Sequence, residues 1–274
     1  MLISTKNSEK YEAGFTLIEL SIVLVIIGLI VGGILTGQDL IKAAQIRAEV
    51  SQLENYNTAV NTFHGKYNGI PGDLLSGSSF FSSVTDQSAG TLGEGNGDGL
   101  VQSISAAGTP CTTNYDCLAG ENVVFWYELN AAGLIPDSTN KGFDYTAALS
   151  VSPSVIPTGK IPGNNIMVNA GSTGYNYWVL AKVTGSGMTP TYGGGLTTIQ
   201  AFQLDTKVDD GLPATGTVVS LAATPSPGVP ADVSATAASG CTNAASTTIT
   251  SANVYNTALY ANNVNCIISD RTNF

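Results

Sequence analysis

Two short acidic stretches hold the side chains best suited to chemistry. "GEGNGDGL" sets Glu94, Asn96 and Asp98 at alternate positions ahead of Gly99. Oxygen ligands at every second position, closed by a glycine, resemble the opening of a calcium loop of the EF-hand kind. Such a loop would want a bidentate glutamate where this chain has Ser105, so an ion here needs another carboxylate from elsewhere. The same residues also spell an ordinary tight turn, because Asn-Gly and Asp-Gly favour turns without any metal. "LDTKVDDGLP" gathers Asp205, Asp209 and Asp210 beside Gly211. Carboxylates four or five residues apart converge on a hard cation if the segment turns, and Asp210-Gly211 is equally a plain turn pair. Calcium is the cofactor these stretches suggest, and nothing in the sequence makes a cofactor obligatory.

Other reactive residues point away from catalysis. His64 is the sole histidine, and it falls where a long helical pattern ends, a place that suits a cationic ring at the carbonyl end of the helix dipole. No Gly-x-Ser-x-Gly, His-Glu-x-x-His or phosphate loop is present, so the expectation is a protein that is not an enzyme. There is no Cys-x-x-Cys, which with a single histidine disfavours zinc. Four cysteines in an exported chain read as two disulfides, for which three connectivities exist. Nearest-neighbour pairing is expected: Cys111 with Cys117 closes a tight loop, and Cys241 with Cys266 clips the C-terminal region. With 10 basic against 20 acidic residues and only one thin basic cluster, no nucleic-acid partner is expected.

The most informative carboxylate lies elsewhere. From Phe15 to Gly37 the chain runs 23 residues with no Lys or Arg and one acid, Glu19. At about 1.5 Å per residue the run covers roughly 34 Å, enough for the hydrocarbon core of a bilayer. The leader before it contains Lys6 and Lys10, which favour a cytoplasmic start, although Glu9 and Glu12 weaken that signal. A secretory signal would be cut after its apolar core, yet "LTGQDLIKAAQI" continues into more helix with no prompt small-x-small site.

The residues Gly14-Phe15-Thr16-Leu17-Ile18-Glu19, followed by the apolar run, resemble the processing site of type IV prepilins and type II secretion pseudopilins. The resemblance implies cleavage between Gly14 and Phe15 by a prepilin peptidase and methylation of the new N-terminal Phe15. It further implies assembly in which Glu19 of one subunit meets the Phe15 amine of its neighbour. That pairing gives a reason for a carboxylate that costs about 2.5–3.5 kcal/mol to insert in a membrane helix. A plainer reading puts the Glu19 head at the lipid headgroups. Gly28-x-x-x-Gly32 and Gly33-x-x-x-Gly37 place small residues where helix backbones can approach, as they also do in many glycine-rich membrane helices. Family members often unwind near a proline; here no proline lies between Phe15 and Ile70. Major pseudopilins hold calcium in a loop of their C-terminal part, which bears on Asp205, Asp209 and Asp210.

These residues must be carried by a long helix and a head. Ile46, Val50, Leu53, Asn57, Val60 and Phe63 recur every three or four residues, with Lys42, Arg47, Glu49 and Glu54 mostly off the stripe. The spacing predicts a helix from Phe15 to about His64, ended by Gly65, Gly69, Pro71 and Gly72. "ENVVFWYELNAAGLIP" predicts a short helix capped by Gly133, in which Phe125, Leu129 and Ala132 share a face. "YNYWVLAKV" and "TVVSLA" read as strands, "LTTIQAFQLDTKVDD" leans to helix, and "ATPSPGVPADVSATAASG" reads as a surface loop. The expected fold is α+β, a pilin-like lollipop: one long N-terminal helix, half membrane-spanning and half amphipathic, packed on a small antiparallel sheet with long loops. Its parts are a leader (1–14), a transmembrane and assembly helix (15–37), an amphipathic continuation (38–66) and a periplasmic or extracellular head (67–274).

The function so implied is that of a structural filament subunit, in a type IV pilus or a type II secretion pseudopilus. Its partners would be the peptidase, identical or homologous subunits and an assembly platform protein in the inner membrane. It would begin as a single-pass inner-membrane protein with a periplasmic head, and end in a periplasmic pseudopilus or an extracellular pilus. A minor or tip subunit binding ligands through aromatic, Asn/Thr-rich loops is the alternative, and a membrane-tethered periplasmic enzyme is a third class.

Overall fold

The computed structural model describes residues 14–81, 95–102, 120–135, 156–171, 174–184, 191–222, 241–243, 253–258 and 264–274. Most of the leader, Glu94, Cys111, Cys117 and the Pro/Ser/Ala-rich stretch lie outside the described residues. The chain divides into two compact units, Met1–Ala44 and Gln45–Phe274.

Helix α1 (Leu17–Tyr67) is long and apolar enough in its first part to cross a membrane. Its hydroxyls are satisfied without water: Ser21 Oγ donates to the Ile18 carbonyl at 2.8 Å, and Thr36 Oγ1 to the Gly32 carbonyl at 3.0 Å. In lipid that matters, since an unpaired polar group has no solvent to turn to. The helix continues past His64 to Tyr67, where Asn68 takes a positive φ of 55° and its amide closes on the His64 carbonyl. Gly72 then turns the chain with a φ of 81°. A Cβ there would run into the carbonyl oxygen of Glu121, so only glycine fits.

The head contains short helices α2 (Gly77–Phe80), α3 (Glu121–Ala131) and α4 (Thr198–Val208). Its strands are β1 (Asn165–Ala170), β2 (Asn176–Thr184), β3 (Thr191–Gly193), β4 (Leu196–Thr197), β5 (Val218–Ala222) and β6 (Val264–Arg271). All pairings are antiparallel, in the order β1-β2-β6-β4, with β3 on β2 and β5 on β6. Cys266 pairs with both Leu196 and Ala222, and Asp270 with both Trp178 and Val218. Strand β6 is therefore flanked on both edges, with β2 and β4 following one another along one edge and β5 on the other. The fold is α+β, as the sequence implied.

Large rings hold the head's core together. Tyr56 of α1 meets Trp126 of α3 edge-on at 5.0 Å and Trp178 of β2 at 5.8 Å. Phe125 and Phe274 close on Trp178 from other sides, at 5.6 Å each. Such pairs contribute beyond their buried area. Asn57 on α1 fixes the register by accepting the Trp178 indole N–H at 2.9 Å.

Glu49 corrects the expected helix stripe. Placed off it by spacing, it is fully buried, along with Ile46, Leu53, Tyr56, Ala59, Val60 and Phe63. The turn over residues 157–164 folds onto α1 and presents the amides of Lys160 and Ile161 to the Glu49 carboxylate, the latter at 2.8 Å to Oε2. These backbone amides, and after them the Lys160 charge, offset part of the cost of burying the carboxylate. Burial pushes the Glu49 carboxyl above its ordinary range, against the opposing pull of these amides. A native value above the unfolded one means that the folded chain binds the proton more tightly. This contribution to stability is complete below the ordinary carboxylate range and is lost as pH rises through the raised native value. Glu49→Gln should therefore flatten the fall in denaturant stability as pH rises above the ordinary carboxylate range. Wild-type and variant curves that remain parallel would show that Glu49 does not titrate there.

Candidate functional site

At the start of α1, Thr16 and Glu19 form a reciprocal cap. Glu19 Oε2 accepts the Thr16 amide at 2.8 Å and the Thr16 hydroxyl at 2.7 Å, and the Glu19 amide donates to Thr16 Oγ1 at 3.3 Å. This is the Thr-x-x-Glu capping box, which satisfies donors that a helix start leaves orphaned. One carboxylate oxygen of Glu19 is thus engaged by its own chain, while Oε1 meets no donor among the described residues. Gly14 and Phe15 are exposed just ahead of the helix. Gly28, Gly32, Gly33 and Gly37 all lie in α1, and a Cβ added at any of them would meet nothing within 4 Å. Their faces are open in the single chain.

The first acidic turn is organised differently from a calcium loop. Asn96 and Asp98 fold back on their own backbone: Asp98 N–H donates to Asn96 Oδ1 and Leu100 N–H to Asp98 Oδ1, both at 2.9 Å. The loop offers amides to two buried acids from outside it. Gly97 and Gly99 donate to Asp73 at 2.6 and 2.7 Å, and Asn96 and Gln102 to Glu121 at 3.1 and 2.8 Å. Burial, followed by the charges of Asp73 and Asp98, raises the Glu121 carboxyl to about 8, against the lowering by its two amide donors. Glu128 completes the set by accepting the Gly72 amide at 2.7 Å. Neither Asp73 nor Glu121 stood out in the sequence. Asp73 sits in a Pro-Gly-Asp turn and Glu121 at a helix start, both common places for acids.

The second acidic stretch does converge. One oxygen each from Asp205, Asp209 and Asp210 lie within 4.8 Å of one another, the only such group found among the described residues. Ligand oxygens at about 2.3–2.6 Å from a calcium ion lie up to roughly 5 Å apart across it, so the spacing is compatible. α4 sets the positions: a capping box of Thr197 and Gln200 starts it, and the aspartates fall at its carbonyl end. Acids are unfavourable there, because the helix dipole is negative at that terminus. Loop donors partly compensate. Gly211 N–H and Tyr255 O–H reach Asp205 at 2.9 and 2.8 Å, Leu212 N–H and Thr215 O–H reach Asp210 at 2.8 and 2.6 Å, and the Thr217 and Val218 amides reach Asp209. Gly216, with φ 78°, makes room, since a Cβ would overlap the Asp209 carboxylate.

Sequence spacing did not reveal a further acid on which this group acts electrostatically, Asp270 on β6. It is buried. Burial first, then the charges of Asp209 and Asp205, raise the Asp270 carboxyl to about 7. Asp205 is also raised to about 7, mainly by burial and secondarily by Asp210 and Asp209, despite the Tyr255 and Gly211 bonds. An acid near the end of the apolar strand Cys266-Ile267-Ile268 was the available signal; only the register with Val218 brings it to the cluster. The expected Cys241–Cys266 disulfide is formed, with Cα atoms 5.3 Å apart. His64 lies exposed in the last turn of α1.

Residues 10–35 match the family model described as the prokaryotic N-terminal methylation motif, the signature of type IV pilins and pseudopilins. The comparisons with curated proteins and with solved structures found no match. The motif covers Gly14, Phe15, Thr16, Glu19 and the first part of α1, and it supports a pilin-like or pseudopilin subunit anchored in the inner membrane.

Removing the Glu121 carboxylate leaves two backbone amides of the 95–102 turn without an acceptor. Glu121→Ala should lower unfolding stability by about 2 kcal/mol in chemical denaturation. A change under about 0.5 kcal/mol would mean that the turn does not depend on this acid.

Proposed function

We propose that this chain is a structural subunit of a type IV pilus-like filament or type II secretion pseudopilus. The observation that carries the reading is the methylation motif at residues 10–35 on a helix able to span a bilayer. Prepilin peptidase cuts between Gly14 and Phe15 and methylates the new terminus. The exposed α-amino group, with an unperturbed pKa near about 7.7–8, is mostly protonated at neutral pH. Residues 15–37 hold the subunit in the inner membrane with its head, 67–274, on the periplasmic side. During assembly at the platform protein, the Phe15 amine of one subunit meets Glu19 of the next and sets the axial register, as buried polar groups do in coiled coils. The free Oε1 of Glu19 suits that role, since the cap on Thr16 survives while a second donor is accepted. The glycine pairs Gly28/Gly32 and Gly33/Gly37 let neighbouring helices approach closely.

A cation, with calcium the best fit, belongs in the same proposal. Three acids, Asp205, Asp209 and Asp210, converge at the negative end of α4, and the charges of Asp209 and Asp205 act on buried Asp270 of β6. Asp205, Asp209 and Asp210 would hold the ion, with Asp270 beside them. The hard cation would supply the missing countercharge and tie the end of α4 to β6.

Glu19→Gln should leave insertion and cleavage intact while cutting filament yield at least tenfold in sheared preparations; an unchanged yield would exclude charge pairing at Glu19. Saturating calcium should raise the melting temperature of the full chain in detergent by several degrees over the chelated protein. Coincident melting curves would reject the cation.

A further inference from the structure

We infer that Glu49 keeps its proton in the folded head, on Oε1, and that this proton latches the turn over residues 157–164 to α1, so that the turn opens when the proton is lost. The effect is local, confined to one turn and the helix face beneath it.

The geometry leaves a place for one proton. Glu49 is fully buried, and its Oε2 accepts the Ile161 amide at 2.8 Å. Its Oε1 is also buried and accepts no hydrogen bond among the described residues. The same holds for Gln52 Oε1, three residues along α1. The Gln52 amide is committed through Nε2, which donates to the Tyr56 hydroxyl at 2.8 Å and the Thr158 carbonyl at 3.1 Å. Side chains three apart on a helix are neighbours, and both of these face residues 158–161 of the same turn. Two buried acceptors without a donor are costly. A proton on Glu49 Oε1 turns that oxygen into a donor, with Gln52 Oε1 as its acceptor. Close packing by the turn disfavours water in the same role, since even a Cβ on Gly159 would stand 2.6 Å from Oε1 and 2.9 Å from Oε2.

Two titratable groups face Glu49 among the described residues. Lys160 of the turn favours the anion, but the residue is exposed to solvent. Tyr56 of α1 is itself pushed up, first by burial. Burial of Glu49 outweighs the amides and Lys160, so the docked turn holds the proton more tightly than an open, hydrated one. By linkage, docking is favoured while the proton is present and loses that advantage as pH rises through the raised native value. Loss of the proton to solvent leaves a buried anion beside two orphan oxygens, and water reaches them when the turn lifts. On the α1 side the turn is held by Glu49 and by the Gln52–Thr158 bond. On the sheet side the Ile166 amide donates to the Pro157 carbonyl at 3.0 Å, and Thr158 bridges Asn165. The turn therefore swings from β1, exposing the otherwise buried Ile161.

Hydrogen exchange of the full chain in detergent, with the intrinsic pH dependence of exchange divided out, reads the opening at the Lys160 and Ile161 amides. Their protection should fall at least about tenfold as pH rises above the ordinary carboxylate range, while the amides of β2 stay protected. Glu49→Gln mimics the protonated acid, offering an N–H in place of the O–H, and should hold protection constant over that range. Infrared spectra taken just above the ordinary carboxylate range should show a protonated-carboxyl band that Glu49→Gln loses. Constant protection in the wild type, the same fall in Glu49→Gln, or no lost band would each overturn the inference. Should Glu49→Gln not fold, Lys160→Glu decides. Replacing the cation that favours the anion should move the fall to higher pH, and an unmoved fall overturns the latch.

Discussion

A carboxylate within a membrane helix has to be compensated, and much of the N-terminal design answers to that constraint. At Glu19 compensation begins inside the chain. Thr16 gives its amide and hydroxyl to one carboxylate oxygen, so the helix start is capped by the group that would otherwise be the costliest to insert. The cap leaves a second oxygen and a net negative charge. A protonated amine two residues before Leu17, on a neighbouring copy, is a fitting partner for both, and such an amine exists at Phe15 only after the leader is removed. Processing and assembly are coupled in this account by charge. In the proposed filament, close helix packing at the glycine pairs would add contact without deciding register.

Acids held by backbone amides recur in the head. Glu49, Asp73, Glu121, Glu128, Asp205, Asp209 and Asp210 all accept backbone amides from nearby turns. In a chain with 10 basic and 20 acidic residues, amides are the more abundant donors. Glycines serve the pattern in two ways, giving turns their conformation and letting N–H groups come close to carboxylates. The head's loops are thus anchored from inside, by buried acids on α1, α3 and the turn after α1. Asp270, buried on β6, is raised by its burial and by the charges of Asp209 and Asp205.

The parts legible in the sequence are those governed by local pattern. The apolar run, its glutamate and the Gly-Phe junction identified the N-terminal segment, and the strands at residues 175–183 and 217–222 and the helices α3 and α4 followed from composition and spacing. Pairing between distant residues was not legible. Glu49 looked like a solvent-facing acid because its partners, the amides of Lys160 and Ile161, come from a turn more than a hundred residues away. The EF-like spacing at Asn96 and Asp98 could not show that Asp73 and Glu121 engage the loop amides. Strand β6, the middle of the sheet, offered a short apolar run whose neighbours only topology decides. Asp270 comes near the aspartates through that topology, Tyr255 reaches Asp205 from fifty residues away, and neither leaves a mark at fixed spacing.

The central claim is that a cut at Gly14 frees the amine that compensates Glu19. Intact-mass and N-terminal fragment spectra of the protein taken from cell membranes test it most directly. The account predicts a chain that begins at Phe15 and bears one methyl group on its terminal nitrogen. A chain that still carries its first fourteen residues, or one cut downstream of Glu19, would contradict it.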